Sequence, residues 1–175
     1  MQALDPSTLP LTGQQLIEAS AGTGKTYTIS SLYLRLILEK HLSIDEILVV
    51  TFTQAATEEL RERIRQRLNL CLQAFINHKN NKPLSQEQTK DTLIGLLLSQ
   101  SDDIEKDVIT LDDAMKRMDE VCVFTIHGFC QRTLQDNAFE SGVLFDTEFL
   151  TEENTLITAI IEDYWRQHFY TASSQ

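Results

Sequence analysis

Two spacings of apolar residues divide this chain. The first recurs every three or four positions, as a helix with one buried face requires. Ile29, Leu32, Tyr33, Leu36 and Ile37 form such a stripe and predict a helix over 27–40. Leu60, Ile64, Leu68, Leu72 and Phe75 form a longer one, in a helix opened by Thr53. Glu58 and Glu59 lie in its early turns, where the helix dipole favours negative charge. The second pattern is a short unbroken apolar run. Residues 47–52 and 121–125 are of this kind and rich in β-branched residues, which is how strands buried on both faces read. Residues 16–19 give a shorter strand candidate.

The remaining stretches fall around these. Pro6, Pro10 and Gly13 mark residues 1–15 as an extended lead-in. Ser85 and Gln88 make a capping box for a helix running to about Gln100. Ser101, Asp102 and Asp103 break the pattern, and helical sequence resumes to about Asp119. A helix is predicted over 127–138, a turn at Ser141 and Gly142, a short alternating strand over 145–149, and a last helix from Thr151 towards Tyr170. Strands separated by helices of more than ten residues predict an α/β fold with a parallel sheet covered by helices. Ligands of such sheets sit at the carboxyl ends of the strands. The segments after the three strand candidates are therefore expected on one edge.

Composition narrows the partners. The chain has 175 residues, 42% hydrophobic and 23% charged, enough for one substantial core or one domain with an appendage. Its net charge of −11 gives a nucleic acid no bulk attraction, so any such contact needs a local feature. Arg61, Arg63, Arg65 and Arg67 spread around the other faces of the long helix. They read as a solvated face with Glu58, Glu59 and Glu62 as neighbours, or as phosphate contacts for one or two of them. Cys71, Cys122 and Cys130 form no CxxC pair. They read as buried free thiols in a reducing compartment, without a disulfide framework or a zinc site. No basic-then-apolar leader stands at the start, and the apolar patch at 94–98 is too short to span a membrane, so a cytoplasmic location is expected.

The chemistry concentrates between residues 19 and 27. Ala19-Ser20-Ala21-Gly22-Thr23-Gly24-Lys25-Thr26 has the form of a phosphate-binding loop between a strand and a helix. Gly22 and Gly24 allow backbone angles closed to other residues, so loop amides and the helix start can converge on phosphate oxygens. The Lys25 ammonium reaches the outer phosphates and the Thr26 hydroxyl suits Mg²⁺. Tyr27 either stacks on a nucleobase or packs.

Two further stretches stand beside this loop: Val49-Val50-Thr51-Phe52-Thr53-Gln54-Ala55-Ala56-Thr57-Glu58-Glu59-Leu60-Arg61-Glu62-Arg63-Ile64 and Phe124-Thr125-Ile126-His127-Gly128-Phe129-Cys130-Gln131-Arg132. Together the three resemble the opening motifs of the UvrD/Rep class of superfamily-one DNA helicases, and of its RecB-type branch in particular. The Asn137-Ala138-Phe139-Glu140-Ser141-Gly142 run resembles that branch too. The resemblance covers most of 4–67 and 115–165. It implies a P-loop NTPase (RecA-like) parallel sheet flanked by helices, as an incomplete first motor domain. Residues 1–150 would be its partial core, with 73–112 a helical segment of unassigned role, and 151–175 would begin a helical insertion. It implies ATP and Mg²⁺ as cofactors, with Lys25 and Thr26 serving them. It implies that Thr51, Phe52, Thr53, Thr125 and His127 lie along single-stranded DNA, with Phe52 offering a face to a base. The parent enzyme it implies is an ATP-dependent helicase and exonuclease of double-strand-break repair and recombination. DNA ends and RecC- and RecD-like subunits of a heterotrimer would be its partners.

The chain departs from that class in places. Gln14 and Gln15 stand too close to the loop to be the usual adenine-reading glutamine, and Tyr27 replaces a common arginine. Hydrolysis needs carboxylates for the metal and the attacking water, normally at the end of an apolar strand. The nearest imitation, Asp112 and Asp113, runs into helical sequence, so little or no ATP turnover is expected from this chain. On the residues alone, a P-loop kinase for a small molecule and a non-catalytic nucleotide- or partner-binding module stay open.

Overall fold

In the computed structural model, residues 4–18, 22, 24–141 and 154–169 are described. The chain runs α1 (Lys25–Lys40), β1 (Val49–Thr51), α2 (Gln54–Lys79), α3 (Gln86–Lys90), α4 (Thr92–Gln100), α5 (Ile104–Lys116), β2 (Val123–Thr125), α6 (Ile126–Asp136), α7 (Ala138–Ser141) and α8 (Asn154–Phe169). It divides into two compact units, Met1–Phe129 and Cys130–Gln175, with the division inside α6.

In the first unit α2 packs against α1, α5 and both strands. The stripe read from its sequence is the stripe it buries: Leu60, Ile64, Leu68, Leu72 and Phe75 are all buried. Tyr33, Leu34 and Ile37 of α1, Leu93 and Ile94 of α4, Leu111 of α5 and Val123 of β2 complete the centre of the core. Each such side chain contributes about 1.5–3 kcal/mol on burial. The stripe on α1 is shifted from its expected position. Leu34 and Leu38 are buried and Ile29 is exposed, because α1 meets both α2 and α5 and buries a wider face than one neighbour would require.

Polar side chains set the helix boundaries. Thr53 caps α2, its side chain accepting from the Ala56 amide. Ser85 and Gln88 form the expected capping box, yet the helix they open is only α3. Asp91 interrupts it, its carboxylate accepting from the Leu93 and Ile94 amides to start α4. Asp103 starts α5 in the same way through Glu105 and Lys106. These aspartates make local bonds that compete with helix continuation.

The sheet holds two parallel strands, paired Val49 with Val123, Val50 with Phe124 and Thr51 with Thr125. Two expectations fail here. The first strand is buried on one face only: Ile47 is buried, whereas Leu48 and Val50 are 46% and 42% exposed. The helices that pack on the strands leave that second face open among the described residues. Residues 16–18 form no strand, and Leu16 is 88% exposed. A strand exists through its neighbour's hydrogen bonds, and no described strand pairs with this segment. Ala19 of that candidate, the strand expected over 145–149, the Gly142 half of the predicted turn and the helix start at 151–153 lie outside the described residues.

In the second unit, Leu156, Ile157, Ile160, Ile161, Tyr164 and Trp165 of α8 are exposed, and Trp165 stacks on Phe169 at 4.5 Å between ring centroids. No helix among the described residues is long and apolar enough to cross a membrane. The thiols differ from one another. Cys71 is buried, and burial pushes its pKa up; Cys122 is half-buried and Cys130 exposed, against the expectation of three buried thiols.

Candidate functional site

α1 begins on Gly24, whose φ of 86° is left-handed, and Gly22 has φ 79°. Both positions favour glycine for conformational reasons, since a Cβ at either would meet nothing within 4 Å. The first intrahelical bond runs from the Thr28 amide to the Gly24 carbonyl at 2.9 Å. The amides of Lys25, Thr26 and Tyr27 precede it and have no intrahelical acceptor, and no side chain caps this end. Lys25 is exposed and Thr26 half-buried beside them. Ala19, Ser20, Ala21 and Thr23 lie outside the described residues. On the far side of α1, Arg35 donates to the Pro6 and Leu9 carbonyls at 2.7 and 2.8 Å while paired with Glu39, so it holds the lead-in against the helix.

Next to Thr26 opens a cleft of about 720 Å³, lined by Tyr27, Arg63, Gln66, Arg67 and Asp91 among others. The Arg67 guanidinium lies 4.6 Å from the Tyr27 ring centroid, and its Nη2 donates to the Tyr27 hydroxyl at 3.2 Å. Asp91 accepts from both terminal nitrogens of Arg67, from Nη2 at 3.0 Å; Arg67 is buried and Asp91 largely so, at the edge of the cleft. Arg67 is therefore no part of a solvated face. Its charge is matched by a carboxylate 24 residues on, a pairing no local pattern reveals. Arg61 donates to the Val123 carbonyl at 2.9 Å, and Arg63 and Arg65 remain exposed. Tyr27 packs on Arg67 and keeps its ring half-exposed towards the cleft.

The parallel register sets Thr51 beside Thr125. Between β1 and α2 the chain is tied by hydroxyls. Thr51 Oγ1 and Thr57 Oγ1 stand 2.6 Å apart, and each lies 3.1 Å from the Thr53 carbonyl. Thr53 Oγ1 accepts from the Ala56 amide at 3.2 Å. Phe52 is carried on this turn and is 79% exposed, so it is not a core residue at a strand end. Opposite, Thr125 Oγ1 accepts from the Gly128 amide at 3.1 Å, and a Cβ on Gly128 would lie at the same distance from that oxygen. His127 stands exposed in the first turn of α6. Thr57 and Gly128 stand within the motif stretches, but the sequence alone gives neither a role of its own. The spacing of four residues from Thr53 to Thr57 was the available signal.

Two of the three expected segments thus meet at one edge. The glycine loop has no strand among the described residues, and its helix meets α2 further along, at Arg67. Asp112 and Asp113 sit within α5, paired with Lys116 at 2.5 Å and Arg117 at 3.6 Å. Neither ends a strand. Among the described residues no group of three or more His, Cys, Asp or Glu side chains gathers as a metal site.

Residues 2–175 match the family model of the UvrD/REP helicase N-terminal domain. The chain is 46% identical to the RecBCD enzyme subunit RecB of Escherichia coli (strain K12), over 97% of this chain and 14% of that protein. It is 42% identical to the Haemophilus influenzae RecB, over 95% of this chain and 14% of that protein. Against the Chlamydia trachomatis RecB the figures are 34%, 93% and 15%. The chain therefore spans about a seventh of the length of these curated relatives.

Proposed function

The chain belongs to the UvrD/REP helicase N-terminal domain family, and on that footing we propose that it supplies the nucleotide cradle and part of the single-strand track of a RecB-like DNA helicase subunit. The parent protein couples ATP hydrolysis to movement along single-stranded DNA in double-strand-break repair and recombination. DNA ends are its substrate, RecC- and RecD-like subunits its partners and the cytoplasm its compartment. The first unit is the beginning of a RecA-like P-loop motor domain.

The residues present fit a magnesium nucleotide. Left-handed glycines, uncapped amides at the start of α1 and an exposed Lys25 suit phosphate oxygens. Thr26 at the same turn suits the metal, which when bound neutralises charge on the phosphoryl group. Tyr27 borders the cleft where the nucleoside end would lie. With Asp112 and Asp113 held in ion pairs on α5, the chain binds ATP and turns it over slowly or not at all.

The observation that supports the DNA reading most is the juxtaposition of Thr51 and Thr125 beside a Phe52 that faces solvent. An exposed aromatic on a polar edge suits a base, and stacking of this kind contributes about 1–3 kcal/mol per base. The test is a fluorescent oligothymidylate titrated at low salt. Binding that weakens with salt and falls about 5- to 150-fold in Phe52→Ala supports the reading. Unchanged binding in that variant, or none in the parent chain, overturns it. A fluorescent ATP analogue with Mg²⁺ tests the cradle separately. Rapid turnover abolished by Lys25→Ala would refute the incomplete-site claim.

A further inference from the structure

We propose that Thr57, a buried residue, is the positioning residue for Phe52; this rests on the single-strand reading above. Thr57 is 2% exposed and sits one turn into α2. A threonine inside a helix commonly bonds the carbonyl four residues back, and Thr57 does so to Thr53 at 3.1 Å. Its second bond is unusual, because it leaves the helix. The hydroxyl meets Thr51 Oγ1, at the end of β1, at 2.6 Å.

The proton count makes this a brace. Each hydroxyl has one proton to donate and two lone pairs to accept with. Thr51 and Thr57 together hold two protons for three contacts: to each other, and from each to the Thr53 carbonyl. Two oxygens 2.6 Å apart need a proton between them, so either Thr57 donates to the carbonyl and Thr51 to Thr57, or Thr51 donates to the carbonyl and Thr57 to Thr51. In both arrangements strand end, turn and helix are joined. The Thr53 carbonyl also accepts the Thr57 amide at 3.1 Å. Phe52 is the residue enclosed by these bonds and has little packing of its own, being 79% exposed. Its direction is set by the backbone on either side, and the brace fixes that backbone before a base arrives. A preorganised contact binds more tightly than one that must be ordered on binding.

The experiment uses the full 175-residue chain and a fluorescein-labelled oligothymidylate read by anisotropy. Thr57→Val keeps the shape and removes the hydroxyl. It is expected to weaken binding about 2- to 10-fold, the range a neutral hydrogen bond commands. Thr57→Ser keeps the hydroxyl and is expected to bind as the parent does. In a Phe52→Ala background, Thr57→Val is expected to add nothing. The slope of affinity against salt should not change, since no phosphate contact is lost. Should Thr57→Val fail to fold, Thr57→Ala removes the hydroxyl while favouring the helix. Parent-like binding by the hydroxyl-free variant, beside a weakened Phe52→Ala, overturns the brace and leaves the single-strand reading standing. So does further weakening in the Phe52→Ala background, or a Thr57→Ser variant as weak as Thr57→Val. An unaffected Phe52→Ala overturns both.

Discussion

The two long helices of the first unit begin in opposite ways. α1 starts on a left-handed glycine with no side chain over its first amides. α2 starts on Thr53, whose side chain takes the Ala56 amide, with Thr57 and Thr51 tied to the same turn. An open helix start presents N–H groups and partial positive charge, which suits an anion. A capped start has one of those donors, the Ala56 amide, already engaged. What it offers outward is Phe52 and the edge of the sheet. One start therefore suits the phosphates of a nucleotide and the other the face of a base. The division also suits a chain with a net charge of −11, which has little long-range attraction for a phosphate backbone.

The largest expected effect strikes the contact between the two helices. Arg67 belongs to α2, touches Tyr27 of α1 and pairs with Asp91, which itself starts α4. Arg67→Ala should cost up to about 3–5 kcal/mol, because it leaves a largely buried carboxylate without its cation. Urea unfolding would show it, and a loss under 1 kcal/mol would mean that this pair does not anchor α1 and α4 to α2. Next, Lys25→Ala should weaken binding of the fluorescent ATP analogue by about 1.5–3 kcal/mol, the range for a hydrogen bond to a charged group. Oligonucleotide binding should stay at the parent level; an equal fall in both would dissolve the contrast between the two helices. Thr53→Ala opens the closed start and should cost about 1 kcal/mol of stability. Its thermal midpoint should drop while ATP-analogue affinity holds.

Alkaline pH gives the smallest effect near neutrality. Burial pushes the Tyr33 phenol above its ordinary pKa, and its hydroxyl donates to the Ile44 carbonyl at 3.1 Å. A folded-state pKa above the unfolded one makes this contribution complete below about pH 10 and lost as pH rises further. Urea stability should fall above that point, and Tyr33→Phe should flatten the fall. Because Tyr33 lies away from both helix starts, its removal should leave both ligand affinities in place at pH 7.

What could be read from the sequence follows a physical line. The buried face of α2 was legible because helix period and residue type decide it locally. The parallel sheet was legible because long helices separate its two apolar runs. The one-sided burial of β1 was not, since a run of Ile, Leu and Val looks alike whether one face is covered or two. Nor was the missing strand at 16–18, which depends on a partner elsewhere. In the candidate site, glycines, Lys25 and Phe52 stand out by type. Arg67 and Thr57 do not: their roles depend on Asp91 and Thr51, brought near only by the fold.

The pairing of β1 with β2 also has a history in time. The Arg61 to Val123 bond, from α2 to β2, alone closes 62 residues of chain, and β1 and β2 are held apart in sequence by four helices. Closing so long a loop is entropically costly before any contact rewards it, and such contacts slow folding. Helices α1 and α2, near neighbours in sequence, should collapse together early. The threonine edge waits for α3, α4 and α5 to find their places. In refolding followed from urea, helical signal should return ahead of protection at the Thr51 and Thr125 amides, and the same edge should be among the first parts to exchange when the chain is mildly loosened.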